Sequence, residues 1–108
     1  MRSIADSIGK AAVLDQLAEE SAELAKAALK MSRILRGKNP TPVTPRAAEK
    51  NLVEEFTDVM VVAAELGLRK DEKVAELKRN RWHKRLEKKR DTKRKRRPQT
   101  HGEKKRSR

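Results

Sequence analysis

The 108-residue chain contains no cysteine. Disulfide stapling and zinc–thiolate sites are therefore excluded. Aromatic residues are nearly missing: there is no tyrosine, and Phe56 and Trp82 stand alone. The core has to be assembled from Leu, Ile, Val, Ala and Met. Glycine and proline are also few, at four each. No segment alternates polar and apolar residues over the length of a strand. The residues that remain in quantity are Ala, Glu, Lys, Leu and Arg, which favour helix. An all-α fold is predicted. Long apolar runs are absent as well. The longest, Val59 to Ala64, falls far short of the roughly 20 residues that cross a bilayer. With no signal peptide in view, the expectation is a cytoplasmic protein without a membrane partner.

Charge is plentiful but uneven. The formal net charge is +13. Residues 1–77 carry a net charge of −1, and residues 78–108 carry +14. Basicity therefore belongs to the C-terminal end of the chain, and a bulk isoelectric argument for a nucleic-acid-binding domain loses its force.

Helix signals divide the chain. A leading turn over Ser3 to Ile8 is expected to break at Gly9, followed by a long helix from Lys10 to Arg36 with Gly37 just beyond its end. The stretch GKNPTPVT, with Pro40 and Pro42, cannot be helical. Thr44 is a candidate N-cap with Pro45 in the first helical position, and that helix should end at Gly67. A third helix begins near Asp71. From Glu87 onward the apolar positions disappear, so the expected division is a folded domain over residues 1–86 and a basic, disordered tail over residues 87–108.

Against this background four carboxylates stand out. Glu20 and Glu23 form one pair and Glu55 and Asp58 another, each spaced i, i+3 so that both members leave one side of a helix. At roughly 100° per residue, Glu20 falls inside the apolar stripe of Val13, Leu17, Leu24, Ala27, Met31 and Leu35, with Glu23 on its edge. Glu55 falls inside the stripe of Leu52, Val59, Val62, Ala63 and Leu66, with Asp58 on its edge. An antiparallel hairpin would bring the two pairs together. Gathering four like charges in an apolar seam is costly unless a cation sits among them. The competing reading makes them solvated surface glutamates, but local cationic partners are missing except for Lys26 near Glu23. Glu49, Glu65, Glu72 and Glu76 read as ordinary surface charges. All four ligand groups are hard oxygens, which favours magnesium, or manganese, over zinc or iron. Magnesium keeps waters and recruits phosphates, so the acidic quartet points towards phosphate-ester or anhydride chemistry.

The run Glu19-Glu20-Ser21-Ala22-Glu23 followed by Glu55-Phe56-Thr57-Asp58 resembles the E-E-x-x-E … E-x-x-D signature of the MazG-like all-α nucleoside triphosphate pyrophosphohydrolases. The flanks AEESAEL and EEFTDVMV, the NPTPVT connection and the later pattern Lys78, Arg81, Trp82, Arg85, Leu86 are similar to short, phage-like members, over residues 13–86. NPTPVT lengthens the interval between the acidic motifs relative to many members. The basic tail is not a general feature of the family.

This resemblance implies hydrolysis of a nucleoside triphosphate to the monophosphate and pyrophosphate. It implies that Glu20, Glu23, Glu55 and Asp58 hold one or more Mg2+ ions, with Mn2+ as a substitute. Glu19, Glu20 and Glu23 would be the catalytic acidic run, with Glu19 serving as ligand, water-orienting base or supporting group. Lys26, Lys78, Arg81 and Arg85 are candidate triphosphate contacts, set against the alternative of a merely solvated basic helix. Trp82 is a candidate base-stacking residue or, alternatively, a core or dimer contact. Asn80 and, in the connection, Asn39 and Thr41 are weaker candidates for the substrate pocket, and His83 is given no role.

The expected architecture is an antiparallel helical hairpin plus a third helix. A thin core of this kind calls for completion of the bundle by oligomerisation, as a homodimer or homotetramer. The rival function is a helical nucleic-acid-binding protein acting through its basic C-terminal tail, with sequence-independent affinity for polyanions.

Overall fold

The computed structural model describes residues 2–38 and 42–96. It is all-helical among these residues, with four helices: α1 (Ile4–Ile8), α2 (Lys10–Leu35), α3 (Pro45–Glu65) and α4 (Glu72–Arg96). The chain falls into two compact units, residues 1–69 and 70–108, and each is described by itself. Asn39 and Thr41 lie outside the described residues, as does everything after residue 96.

Helix ends follow the side chains that can satisfy them. Ser3 caps α1, its hydroxyl oxygen accepting from the Asp6 amide at 3.0 Å. Thr44 caps α3 in the same way, accepting from the Ala47 amide at 3.1 Å, with Pro45 in the first turn. Asp71 accepts from the Val74 amide at 3.0 Å at the start of α4. The C-termini of α2 and α3 close alike. Beyond α2 the Lys38 amide reaches the Arg33 carbonyl at 2.8 Å and the Gly37 amide reaches Ile34 at 3.0 Å. Beyond α3 the Leu68 amide reaches Ala63 at 2.9 Å and the Gly67 amide reaches Ala64 at 3.0 Å. This double bond pattern needs a left-handed residue at its corner, and glycine occupies both corners, with φ of +69° at Gly37 and +71° at Gly67.

In the first unit α2 packs against α3 and α1 folds against α2. The α2–α3 pair is antiparallel. Val13 and Gln16, early in α2, line one small cavity with Val61, Val62 and Glu65 from the end of α3, whereas Glu20 meets Glu55 one level further along. The seam has a regular rhythm. Among the buried or half-buried positions of α2, one row runs Val13, Leu17, Glu20, Leu24, Ala27, Met31, Ile34, with half-buried Ala12, Lys30 and Ser32 flanking it. On α3 and its C-cap the corresponding row runs Ala48, Leu52, Glu55, Val59, Val62, Leu66, with half-buried Asn51, Ala63 and Glu65 flanking it. Both sets step by alternating fours and threes, the spacing of helices that pack along a continuous seam. The expected stripes are thereby corrected at two points. Leu35 is 71% exposed, because the alternation lands on Ile34 and leaves its neighbour about 100° further round. Ala48 enters the seam one turn before Leu52, the first stripe residue expected from the sequence.

Among the described residues only Val13, Ala27 and Ala48 are buried, and no polar residue is. In the antiparallel register Ala27 and Ala48 fall at the same level, seven residues from Glu20 and Glu55 respectively. Two alanines there leave room for the backbones to approach closely. Glu65 is more than a surface charge: half-buried, it accepts from the Ile4 amide at 3.1 Å and so ties α1 to the end of α3. The sequence offered no periodic signal for a partner sixty-one residues away.

In the second unit α4 continues through residues 87–96, where a disordered tail was expected. The physical reason is propensity: Lys, Arg, Glu and Leu are all good helix formers and need no apolar stripe to remain helical. Residues 76–95 are all exposed.

Ala27→Leu and Ala48→Leu each push bulk into the alanine level of the seam. Either should lower stability by about 1–3 kcal/mol in urea unfolding. Ala25→Leu, on the exposed side of α2, should stay within about 0.5 kcal/mol of the parent.

Candidate metal centre

The acidic residues of the two motifs take distinct places. Glu20 and Glu55 occupy seam positions at matching levels of α2 and α3, and both are half-buried. Asp58, one turn after Glu55, is exposed at the seam edge. Glu20, Glu55 and Asp58 each present a carboxylate oxygen, and these oxygens lie within 4.8 Å of one another. The arrangement follows from the antiparallel register: it levels residue 20 with residue 55, and the helical repeat adds residue 58.

Glu23 is placed differently. It is exposed, and its Oε2 pairs with Lys26 Nζ at 3.3 Å on the same helix. That pair is solvent-washed and contributes little to stability. Its charge still acts on the seam, as one of the negative charges that raise the pKa of Glu55. Glu19 is exposed on α2. Among the described residues the three-carboxylate group contains neither of them.

The carboxyl of Glu55 is held above the ordinary glutamate range. Partial desolvation in the seam is the largest cause, followed by the negative charges of Asp58, Glu23 and Glu20 and a hydrogen bond with the Asp58 side chain. All of these favour the protonated form. Glu55 thus registers a local excess of negative charge that a bound cation would cancel. The donor set fits such an ion: three carboxylate oxygens, no nitrogen or sulfur, and one open side towards solvent for water or phosphate oxygens.

One supporting group escaped the sequence reading. Gln16 Nε2 donates to Glu20 Oε2 at 2.9 Å. It lies one turn before Glu20 and fixes one of its oxygens, as outer hydrogen bonds orient ligand groups in metal sites. The i, i+4 spacing of Gln16 and Glu20 was the available signal.

Lys78, Arg81, Trp82 and Arg85 lie on α4, in the second unit, and all are exposed, Trp82 at 62%. Asn80 and His83 are exposed on the same helix. No helix among the described residues is long and apolar enough to cross a membrane.

No family model, curated protein or solved structure matches the chain. The site stands on its own residues.

A pH dependence follows from Glu55. Its folded-state pKa lies above the ordinary glutamate value of 4.5, so between those two values the folded chain holds more protons than the unfolded chain. Stability without metal should therefore fall as pH rises from about 4.5 through the raised value. Glu55→Gln removes that loss. Thermal unfolding between pH 4 and 8 should show the parent losing stability over this window and the variant losing less. A divalent cation should raise the midpoint of the parent near neutral pH more than that of the variant.

Proposed function

We propose that the chain is a magnesium-dependent nucleoside triphosphate pyrophosphohydrolase of MazG-like type, converting a (d)NTP and water to the (d)NMP and pyrophosphate. The observation that carries this reading is the meeting of Glu20, Glu55 and Asp58, from the two motifs that resemble the family signature, with their oxygens within 4.8 Å. Ligand chemistry favours Mg2+, with Mn2+ as its closest substitute.

The roles divide by position. Glu20, Glu55 and Asp58 hold the cation, and Gln16 holds Glu20 in place. Glu23 is one helical turn from Glu20 and joins the ligands by releasing Lys26. Lys26, freed from that pair, is then available to a phosphate oxygen. Glu19, exposed beside Glu20, accepts a proton from the attacking water. When bound, the cation supplies charge neutralisation for the phosphates and acidifies a coordinated water. Water attack with cleavage at the α–β bridge needs no protein nucleophile. Lys78, Arg81 and Arg85 are the proposed triphosphate contacts from α4, and Trp82 the proposed stacking surface for a base.

The seam carrying the site is only two helices wide, and one side of it is solvent-facing. In this reading a second copy of the chain covers it, giving a homodimer or a dimer of dimers, in the cytoplasm.

A panel of (d)NTPs with Mg2+, with pyrophosphate and orthophosphate read separately, tests the proposal. Pyrophosphate should appear with at least one nucleotide and disappear with excess chelator. Glu20→Gln or Asp58→Asn should lower the rate by at least about 100-fold, the scale of losing a main electrostatic stabiliser. Full activity in chelator, or orthophosphate as the product, would overturn it.

A further inference from the structure

The helical course of α4 gives its charges a geometry that a disordered tail would lack. Between residues 72 and 96 there are thirteen Lys or Arg and four acidic residues. They are not mixed at random. At roughly 100° per residue, Glu72, Glu76, Glu87 and Asp91 all fall within one arc of about 100°. Asn80 and His83 continue that arc between them. The opposite side, an arc of about 120°, contains Lys78, Arg81, Arg85, Lys88, Lys89 and Lys95, with no acid among them. Every one of these side chains is exposed.

We infer that this cation-only face of α4 is a binding surface for double-stranded DNA, engaging its phosphates without regard to sequence. The proposal does not rest on the hydrolase reading. Three features of the helix favour this partner. First, from Lys78 to Lys95 the face runs for about 26 Å at 1.5 Å per residue, a straight row of cations that matches a duplex, whose charge repeats every 1.7 Å or so of axis. Second, the acids are gathered on the reverse side, so the helix has one orientation in which every charge near the phosphates is attractive. Third, a helix about 10–12 Å across fits the major groove of B-DNA, about 12 Å wide, whereas the deep, narrow major groove of an RNA duplex does not admit it. The face has no amide side chain for adenine and one arginine pair, Arg81 and Arg85, which indicates positioning on phosphates rather than base reading.

Fluorescence anisotropy of the full chain with a labelled 20-base-pair DNA duplex, across a salt series, tests this. Two triple variants remove the same charge from different sides. Lys88, Lys89 and Lys95→Gln empties half of the proposed face and avoids the proposed triphosphate contacts. Arg79, Arg90 and Arg94→Gln acts on the acidic side. Glutamine keeps helix propensity, and circular dichroism should confirm equal helicity. The face variant should weaken binding about tenfold or more near 100 mM salt and lower the salt slope by roughly two to three. The acidic-side variant should change the slope by less than half as much. Equal losses from both variants would overturn the inference in favour of diffuse attraction. Tighter binding of an RNA duplex of the same length would overturn the choice of partner, and no binding of DNA by the parent chain would end it.

Discussion

A pair of half-buried glutamates at one level of a helix–helix seam is the constraint around which the first unit is organised. Seven residues on one side of Glu20 and Glu55 the seam is closed by Ala27 and Ala48; seven on the other it is filled by Val13 and Val62. These flanking levels hold the two helices in a register that leaves Glu20 and Glu55 no alternative but to face each other, with Asp58 beside them. Apolar residues at the same positions would pack better. The pKa of Glu55 is raised by desolvation in the seam and by the neighbouring carboxylates, the direction expected where acidic groups crowd together.

The rest of the unit fixes the helix ends. The glycine-cornered ends of α2 and α3 stop both helices cleanly, and the Thr44 cap fixes where α3 restarts. Glu65 binds the first amide of α1 and anchors a short helix that could not persist alone. None of these groups is part of the acidic site; the Glu65–Ile4 bond alone among them spans from one helix to another. A slip by one turn would separate Glu20 from Glu55.

Much of this was legible in the sequence. The Thr44 cap, the starts near Ser3 and Asp71, the two closing glycines and the helical composition marked the elements. The i, i+3 carboxylate pairs on apolar stripes marked the site. Sequence periodicity also indicated depth, placing Glu20 and Glu55 inside the stripes and Glu23 and Asp58 on their edges. Glu20 and Glu55 share the seam, whereas Glu23 and Asp58, each three residues on, are exposed. A pair on a helix shares a side without sharing burial, because the seam is narrower than the rotation between its members. Gln16 and Glu65 were missed, since each acts through a hydrogen bond that leaves no hydrophobic pattern. The folded domain was ended at residue 86 in the sequence reading because apolar periodicity, the signal used for that boundary, is the signature of packing rather than of helicity.

The account rests on Glu20, Glu55 and Asp58 forming a divalent-cation site. Anomalous scattering from crystals grown with Mn2+ tests this most directly. A peak within bonding distance of oxygens from all three residues, lost in crystals of Glu55→Gln, is the predicted result. Well-ordered crystals with these three carboxylates visible and no peak among them would contradict the account.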